Sequence, residues 1–153
     1  MNRKVHRVLI ADDSEVERFL LKRALQNGAP RLEVISELET GDEVIAYLAG
    51  DGPFADRAQH PLPQLVFLDL RMPRKGGLEV LEWLRNRPKG DFKVAVLADS
   101  SGTMFRSQAL ELGADYFFSK IAHGGEMAKM AGDLQSDLDK FAKDSASGSA
   151  PPG

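Results

Sequence analysis

The stretch Val66-Phe67-Leu68-Asp69-Leu70-Arg71-Met72-Pro73, VFLDLRMP, decides how the chain is read. Three apolar residues of strand character run straight into a carboxylate, and a proline closes the segment. An uncompensated buried carboxylate costs several kcal/mol or neutralises itself through a shifted pKa. A core strand that ends on Asp69 therefore presents the charge to something that uses it. In open α/β sheets that place is the crevice outside the carboxyl ends of the strands.

Working outward, short apolar runs alternate with helical patterns. Val8-Leu9-Ile10-Ala11 has strand length, and Asp12-Asp13-Ser14-Glu15 follows as a helix-start cluster. Val16, Phe19, Leu20 and Ala24 recur at helical spacing up to Asn27-Gly28. Leu32 to Ile35 reads as a second strand, and Thr40-Gly41-Asp42 opens a helix carrying Val44, Ile45 and Leu48. The segment from Gly50 to Gln64, GDGPFADRAQHPLPQ, reads as an unusually long loop. After the strand Leu65 to Leu70, Gly76-Gly77 leads into a helix with Leu78, Leu81, Trp83 and Leu84, ended by Pro88 and Gly90. Val94 to Leu97 is a fourth strand, and Ser100-Ser101-Gly102-Thr103 supplies capping residues for a helix that stops at Gly113. Tyr116-Phe117-Phe118 is a fifth strand, and Met127, Met130, Ala131, Leu134, Leu138 and Phe141 mark a last amphipathic helix. Five such repeats predict an α/β fold, a doubly wound parallel five-stranded sheet with helices on both faces. The polar, proline-ended stretch beyond Phe141 reads as a disordered tail.

Composition narrows the function. The chain has 153 residues, 42% apolar and 28% charged, which fits one domain with a single sizeable core. A net charge of −3 argues against a nucleic-acid footprint, and no apolar run approaches a membrane span. With no cysteine, thiolate metal sites and cysteine nucleophiles are excluded, and a reducing, cytoplasmic setting is expected.

Asp12, Asp13 and Asp69 all lie at strand ends, and Lys120 directly follows the fifth strand. Like carboxylates ~4 Å apart at an effective dielectric of ~20 repel by about 4 kcal/mol per pair. A divalent cation and one lysine cancel that charge, and an all-oxygen ligand set favours Mg²⁺ over zinc. An aspartate beside such a cation suits nucleophilic attack on phosphorus, giving an aspartyl phosphate. Singly, each residue reads more simply: Asp12-Asp13 as a helix cap, Asp69 as a loop residue, Lys120 as a solvated charge. Their joint placement on the repeated strand–helix pattern favours the site.

With LIADDS, VFLDLRMP and GADYFFSK in these positions, the chain resembles the receiver domain of two-component response regulators, from Val5 to about Phe141. The resemblance implies a flavodoxin-like strand order 2-1-3-4-5, with residues 1–143 as the receiver and 144–153 as the tail. It implies Asp69 as phosphoacceptor, Asp12, Asp13, Asp69 and the Arg71 backbone carbonyl as Mg²⁺ ligands, and Lys120 as phosphate partner. Phe117 falls on the family's switch aromatic. The implied partners are a histidine kinase and a downstream protein, met through the fourth helix, fifth strand and fifth helix, a surface that also offers a homodimer face. The long loop and LADSSGT look more like regulators paired with phytochrome-type kinases than like chemotaxis regulators.

Two departures bear on switching. The family carries Thr or Ser where this chain has Ala98, and losing a hydrogen bond to a charged group costs ~1.5–3 kcal/mol. Ser100 is the nearest substitute, whereas Asp99 is expected to face away by strand alternation. The family also has a cis proline where this chain has Ile121, and a cis non-proline bond costs ~2.5–4 kcal/mol. A self-phosphorylating receiver, not a dedicated enzyme, is the expectation. A Mg²⁺-dependent aspartyl-phosphate phosphatase would need a general-acid Asp where Arg71 stands. A degenerate, phosphorylation-independent interaction module is the alternative that Ala98 and Ile121 support. PLP at 61–63 reads as loop stiffening, Met127 and Met130 as core, and His6, His60 and His123 are assigned no role.

Overall fold

Alternation along the central strands builds two cores from one sheet. A computed structural model describes residues 4–86, 92–120 and 125–148, with side chains through Phe141. β1 (His6–Ala11), β3 (Leu65–Asp69) and β4 (Lys93–Ala98) lie in the middle of a parallel five-stranded sheet. β2 (Leu32–Leu38) and β5 (Tyr116–Ser119) form its edges, in the expected order β2-β1-β3-β4-β5. Successive side chains leave opposite faces of a strand. Leu9, Ala11, Val66, Leu68, Val94 and Val96 thus enter one core, and Val8, Ile10, Leu65, Phe67, Ala95 and Leu97 the other. α2 (Gly41–Ala49), α3 (Gly77–Arg85) and Ala109 of α4 (Arg106–Glu111) cover the first. α1 (Glu15–Gly28) and α5 (Gly125–Gly148) cover the second. Cover on both faces is why the strands read as near-continuous apolar runs.

α1 starts where Ser14 Oγ accepts from the Glu17 N–H at 3.2 Å. Its buried stripe is Leu21, Ala24 and Leu25. The periodic trio Val16, Phe19 and Leu20 faces outward instead, at 66%, 57% and 46% exposure. α1 and α5 cross closely: a Cβ on Gly28 would lie 2.0 Å from the Ala128 carbonyl oxygen. Met127 and Met130 are half-buried and pack against this same layer.

The segment after α2 is ordered by its own side chains. Gly50 ends the helix in the left-handed region at φ 72°, and a 3-10 turn spans Gly52–Phe54. Arg57 donates to the carbonyls of Tyr47, Leu48 and His60 at 2.8, 2.9 and 3.1 Å, satisfying the last turn of α2. The Tyr47 hydroxyl donates to Pro61 O at 2.9 Å, and the Phe54 and His60 rings pack edge-on at 5.3 Å. Beyond β4, the expected Ser/Thr capping of the fourth helix gives way to a 3-10 turn, Thr103–Phe105, before a short α4. α5 runs to Gly148, and residues 149–153 lie outside the described residues. Among the described residues no helix is long and apolar enough to cross a membrane.

Candidate functional site

Strand register gathers the charged residues. Ala11 lies opposite Leu68, so the next residues, Asp12 and Asp69, emerge side by side at the carboxyl edge of β1 and β3. Ala98 lies opposite Ser119, which brings Lys120 out beside them from β5. The Lys120 ammonium donates to Asp12 at 2.7 Å and stands 3.1 Å from Asp69. Asp12 and Asp69 are 5% and 7% exposed, whereas Asp13 is open to solvent. Two further bonds fix Asp12: its carboxylate accepts from the Ser14 N–H at 2.9 Å and its carbonyl from Arg18 at 2.8 Å.

Burial dominates the electrostatics at Asp69. It pushes the Asp69 carboxyl up to about 6; Lys120 and the Arg71 N–H pull it down, and the neighbouring Asp12 charge adds to the rise. Burial also opposes the Lys120 charge, yet its bonds and attraction to Asp12 and Asp69 outweigh that and hold it above its ordinary 10.5. Asp12, Asp13 and Asp69 offer oxygens that all lie within 4.8 Å of one another. A compact, oxygen-only set of this kind fits a hard divalent cation that retains water.

These groups line a cleft of about 440 Å³ together with Ser14, Glu17, Arg71, Asp99 and Ser100. Asp99 therefore belongs to the cleft, contrary to the expectation from alternation. β4 ends at Ala98, and past that residue the chain is a loop in which period-two geometry no longer applies. Its carboxylate is turned to that loop, accepting from the N–H groups of Ser101 and Gly102 at 3.0 Å each and from the Ser101 hydroxyl at 2.7 Å. Ala98 is 1% exposed, and its carbonyl accepts from the Lys120 N–H at 2.7 Å. Phe117 is buried, with the Arg106 guanidinium 5.8 Å from its ring centre. Ile121 and His123 lie outside the described residues.

Other contacts escaped the sequence reading. Buried His6 meets Asp139 at 2.7 Å, and Arg31 forks onto the same carboxylate at 2.8 and 2.7 Å. This pins α5 to the start of β1, the end of the strand opposite the cleft. In the β3–α3 loop, Arg74 and Lys75 adopt φ of 53° and 89°, and their carbonyls accept from Asp42 and Gly41 at the start of α2, at 3.1 and 2.9 Å.

Residues 8–131 match the response regulator receiver domain family. Curated relatives include a protein-glutamate methylesterase/protein-glutamine glutaminase of Treponema pallidum, 34% identical over 126 residues, covering 80% of this chain and 28% of that protein. The response regulator GacA of Pseudomonas protegens is 30% identical over 124 residues, covering 80% and 52%. The chain thus spans between 28% and 52% of the length of these two relatives. Among solved structures, the Mn²⁺-bound response regulator Rcp1 is similar at TM-score 0.71 and 27% identity, covering 86% of this chain and 92% of that one. The phosphorylated cyanobacterial phytochrome response regulator RcpA is similar in fold, at TM-score 0.74 and 24% identity, covering 88% and 94%.

Proposed function

The chain belongs to the response regulator receiver domain family, and from that membership we propose that it accepts a phosphoryl group on Asp69 from a histidine kinase and signals through contacts with other proteins. The observation that carries this reading is the Lys120 ammonium held between Asp12 and Asp69 at one sheet edge. In the transfer, an Asp69 carboxylate oxygen attacks phosphorus, a P–O bond forms, and the P–N bond to the donor histidine breaks with its electron pair retained on nitrogen. Asp69 needs no base, because it reacts as the carboxylate. Asp12, Asp13, Asp69 and the Arg71 carbonyl would hold Mg²⁺, which supplies charge neutralisation at the transferring oxygens. Lys120 is free to follow negative charge from the carboxylate to the new phosphoryl oxygens.

The donor protein needs a surface beside this cleft. Val16, Phe19 and Leu20 form an exposed apolar face on the first turns of α1, immediately after Asp12 and Asp13. Grouped exposed apolar side chains of this kind mark partner contacts. Likeness to a response regulator in red light signalling of R. palustris, 25% identical at TM-score 0.70, favours a red-light-sensing kinase as that donor.

The test is incubation with acetyl phosphate and Mg²⁺, followed by intact-protein mass. Wild type should gain one phosphoryl group and Asp69→Asn none; equal uptake by both, or by neither, rejects the acceptor role. Ala98 favours a second reading, an interaction module that works unphosphorylated, and absence of uptake by wild type would support it.

A further inference from the structure

Resting on the cation site proposed above, we propose that Gly41 and Asp42, the first residues of α2, are positioning residues for that site: they clamp the β3–α3 loop and so hold the Arg71 carbonyl where the cation needs it. The observations begin at the helix start. The first N–H groups of an α-helix have no partner within it. Thr40 Oγ takes the Glu43 N–H at 3.1 Å, which leaves those of Gly41 and Asp42. Both are donated across to the loop, to the Lys75 carbonyl at 2.9 Å and the Arg74 carbonyl at 3.1 Å. The fit has no slack: Gly41 is buried, and a Cβ there would collide with the Lys75 carbonyl oxygen. Arg74 and Lys75 themselves stand at φ 53° and 89°, in the left-handed region. Residues with side chains persist there only where their surroundings over-determine them, and α2 supplies that restraint.

The same loop is closed at its base on the strand that carries Asp69. Gly77 donates its N–H to the Leu70 carbonyl at 2.9 Å, and a Cβ on Gly77 would lie 2.6 Å from the Asp69 carbonyl oxygen. The Arg71 N–H bonds to the Asp69 carboxylate. Arg71 therefore sits on a short limb tied at its base to β3 and at its tip to α2. Mg²⁺ demands near-octahedral geometry at ~2.0–2.1 Å, so a ligand on this limb serves it only while both ties hold. Magnitudes rank the parts of the clamp. Asp42 also pairs with Lys75 at 3.2 Å and Arg74 at 3.6 Å, but all three side chains are at least 45% exposed, and such pairs contribute little. The backbone bonds and the absent Cβ of Gly41 carry the clamp, and the ion pairs are a secondary aid.

The experiment titrates the full chain with Mg²⁺ alone by calorimetry, well below the unfolding midpoint, and records backbone amide spectra by NMR in EDTA. Gly41→Ala should weaken Mg²⁺ binding about tenfold or more, the usual cost of losing a group that orients a ligand. With no metal present it should also shift the amide signals of Arg71 and Gly77. Asp42→Asn should weaken binding about two- to threefold and move the Arg71 amide to a smaller extent, and Asp42→Glu, which keeps the charge, should restore the wild-type values. Gly28→Ala is the control: it disturbs the α1–α5 crossing and should leave Mg²⁺ affinity unchanged, which separates positioning from lost stability. Wild-type affinity in Gly41→Ala, or an equal loss in Gly28→Ala, overturns the clamp. If Gly41→Ala does not fold, Asp42→Asn decides alone, and an Arg71 amide unmoved in EDTA overturns the proposal. Wild type that binds no Mg²⁺, or Asp13→Ala that binds it as tightly as wild type, removes the cation site itself rather than the clamp.

Discussion

Asp69→Asn is expected to make the protein more stable at neutral pH while removing its capacity to accept a phosphoryl group. The folded-state value for Asp69 is raised from 3.8 to about 6, so the unfolded chain releases this proton more readily than the native one. Below about pH 3.8 the group is neutral in both states and costs nothing. As pH rises through about 6 the native carboxylate ionises against its burial, and stability falls to a lower plateau. The gap from 3.8 to about 6, at ~1.36 kcal/mol for each tenfold change in proton affinity, is on the order of 3 kcal/mol. For a domain of this size that corresponds to a rise of about 6–12 °C in Tm. The assay is thermal and urea denaturation of both proteins in EDTA at pH 7 and pH 3.5. The gain should be present at pH 7, shrink at pH 3.5, and diminish or invert in excess Mg²⁺, which stabilises the folded wild type by binding its complete carboxylate set. A variant no more stable than wild type at pH 7, or a gain of equal size at both pH values, would refute the reasoning.

Phe19→Glu should leave uptake from acetyl phosphate intact and reduce transfer from the donor kinase at least tenfold, measured with radiolabelled kinase; unchanged kinase transfer removes α1 as the contact. Gly28→Ala should destabilise by about 1–3 kcal/mol in urea titrations, because the added methyl meets the Ala128 carbonyl; a neutral result would mean that the two helices separate freely. Asp139 is held well below its ordinary 3.8, first by its bond to Arg31 and also by His6. A group lowered in this way contributes stability above 3.8 that is lost as pH falls. Because its side chain is 38% exposed, the pair is worth about 1 kcal/mol after solvent screening. The stability difference between wild type and Asp139→Asn should therefore be present at pH 7 and fade below pH ~4, as followed by denaturation across that range.

The acidic edge was legible because strand ends are legible. An apolar run that stops on a charge locates the carboxyl edge of a parallel sheet, and Asp12, Asp69 and Lys120 each follow such a run. Phase was harder than period. Val16, Phe19 and Leu20 repeat with helical spacing as well as Leu21, Ala24 and Leu25 do, and only packing against α5 and the sheet selects which stripe is buried. Asp99 was misplaced because alternation was carried one residue beyond the strand. The order of the segment after α2 depends on Arg57 reaching carbonyls nine and ten residues away in sequence, and the His6–Asp139 contact joins residues 133 apart. Periodicity carries no information at those separations.

The position of Lys120 also changes what metal binding means for this protein. Its ammonium sits at 2.7 Å from Asp12 and 3.1 Å from Asp69, so a divalent ion approaching these oxygens competes with a tenant rather than filling bare acid. Net affinity is a difference between two cations, and it improves once the ammonium gains another anion to accompany. On the function proposed above, a phosphoryl group on Asp69 would be such an anion. By reciprocity, whatever phosphorylation adds to the grip on the ion, the ion adds to the persistence of the phosphoryl group.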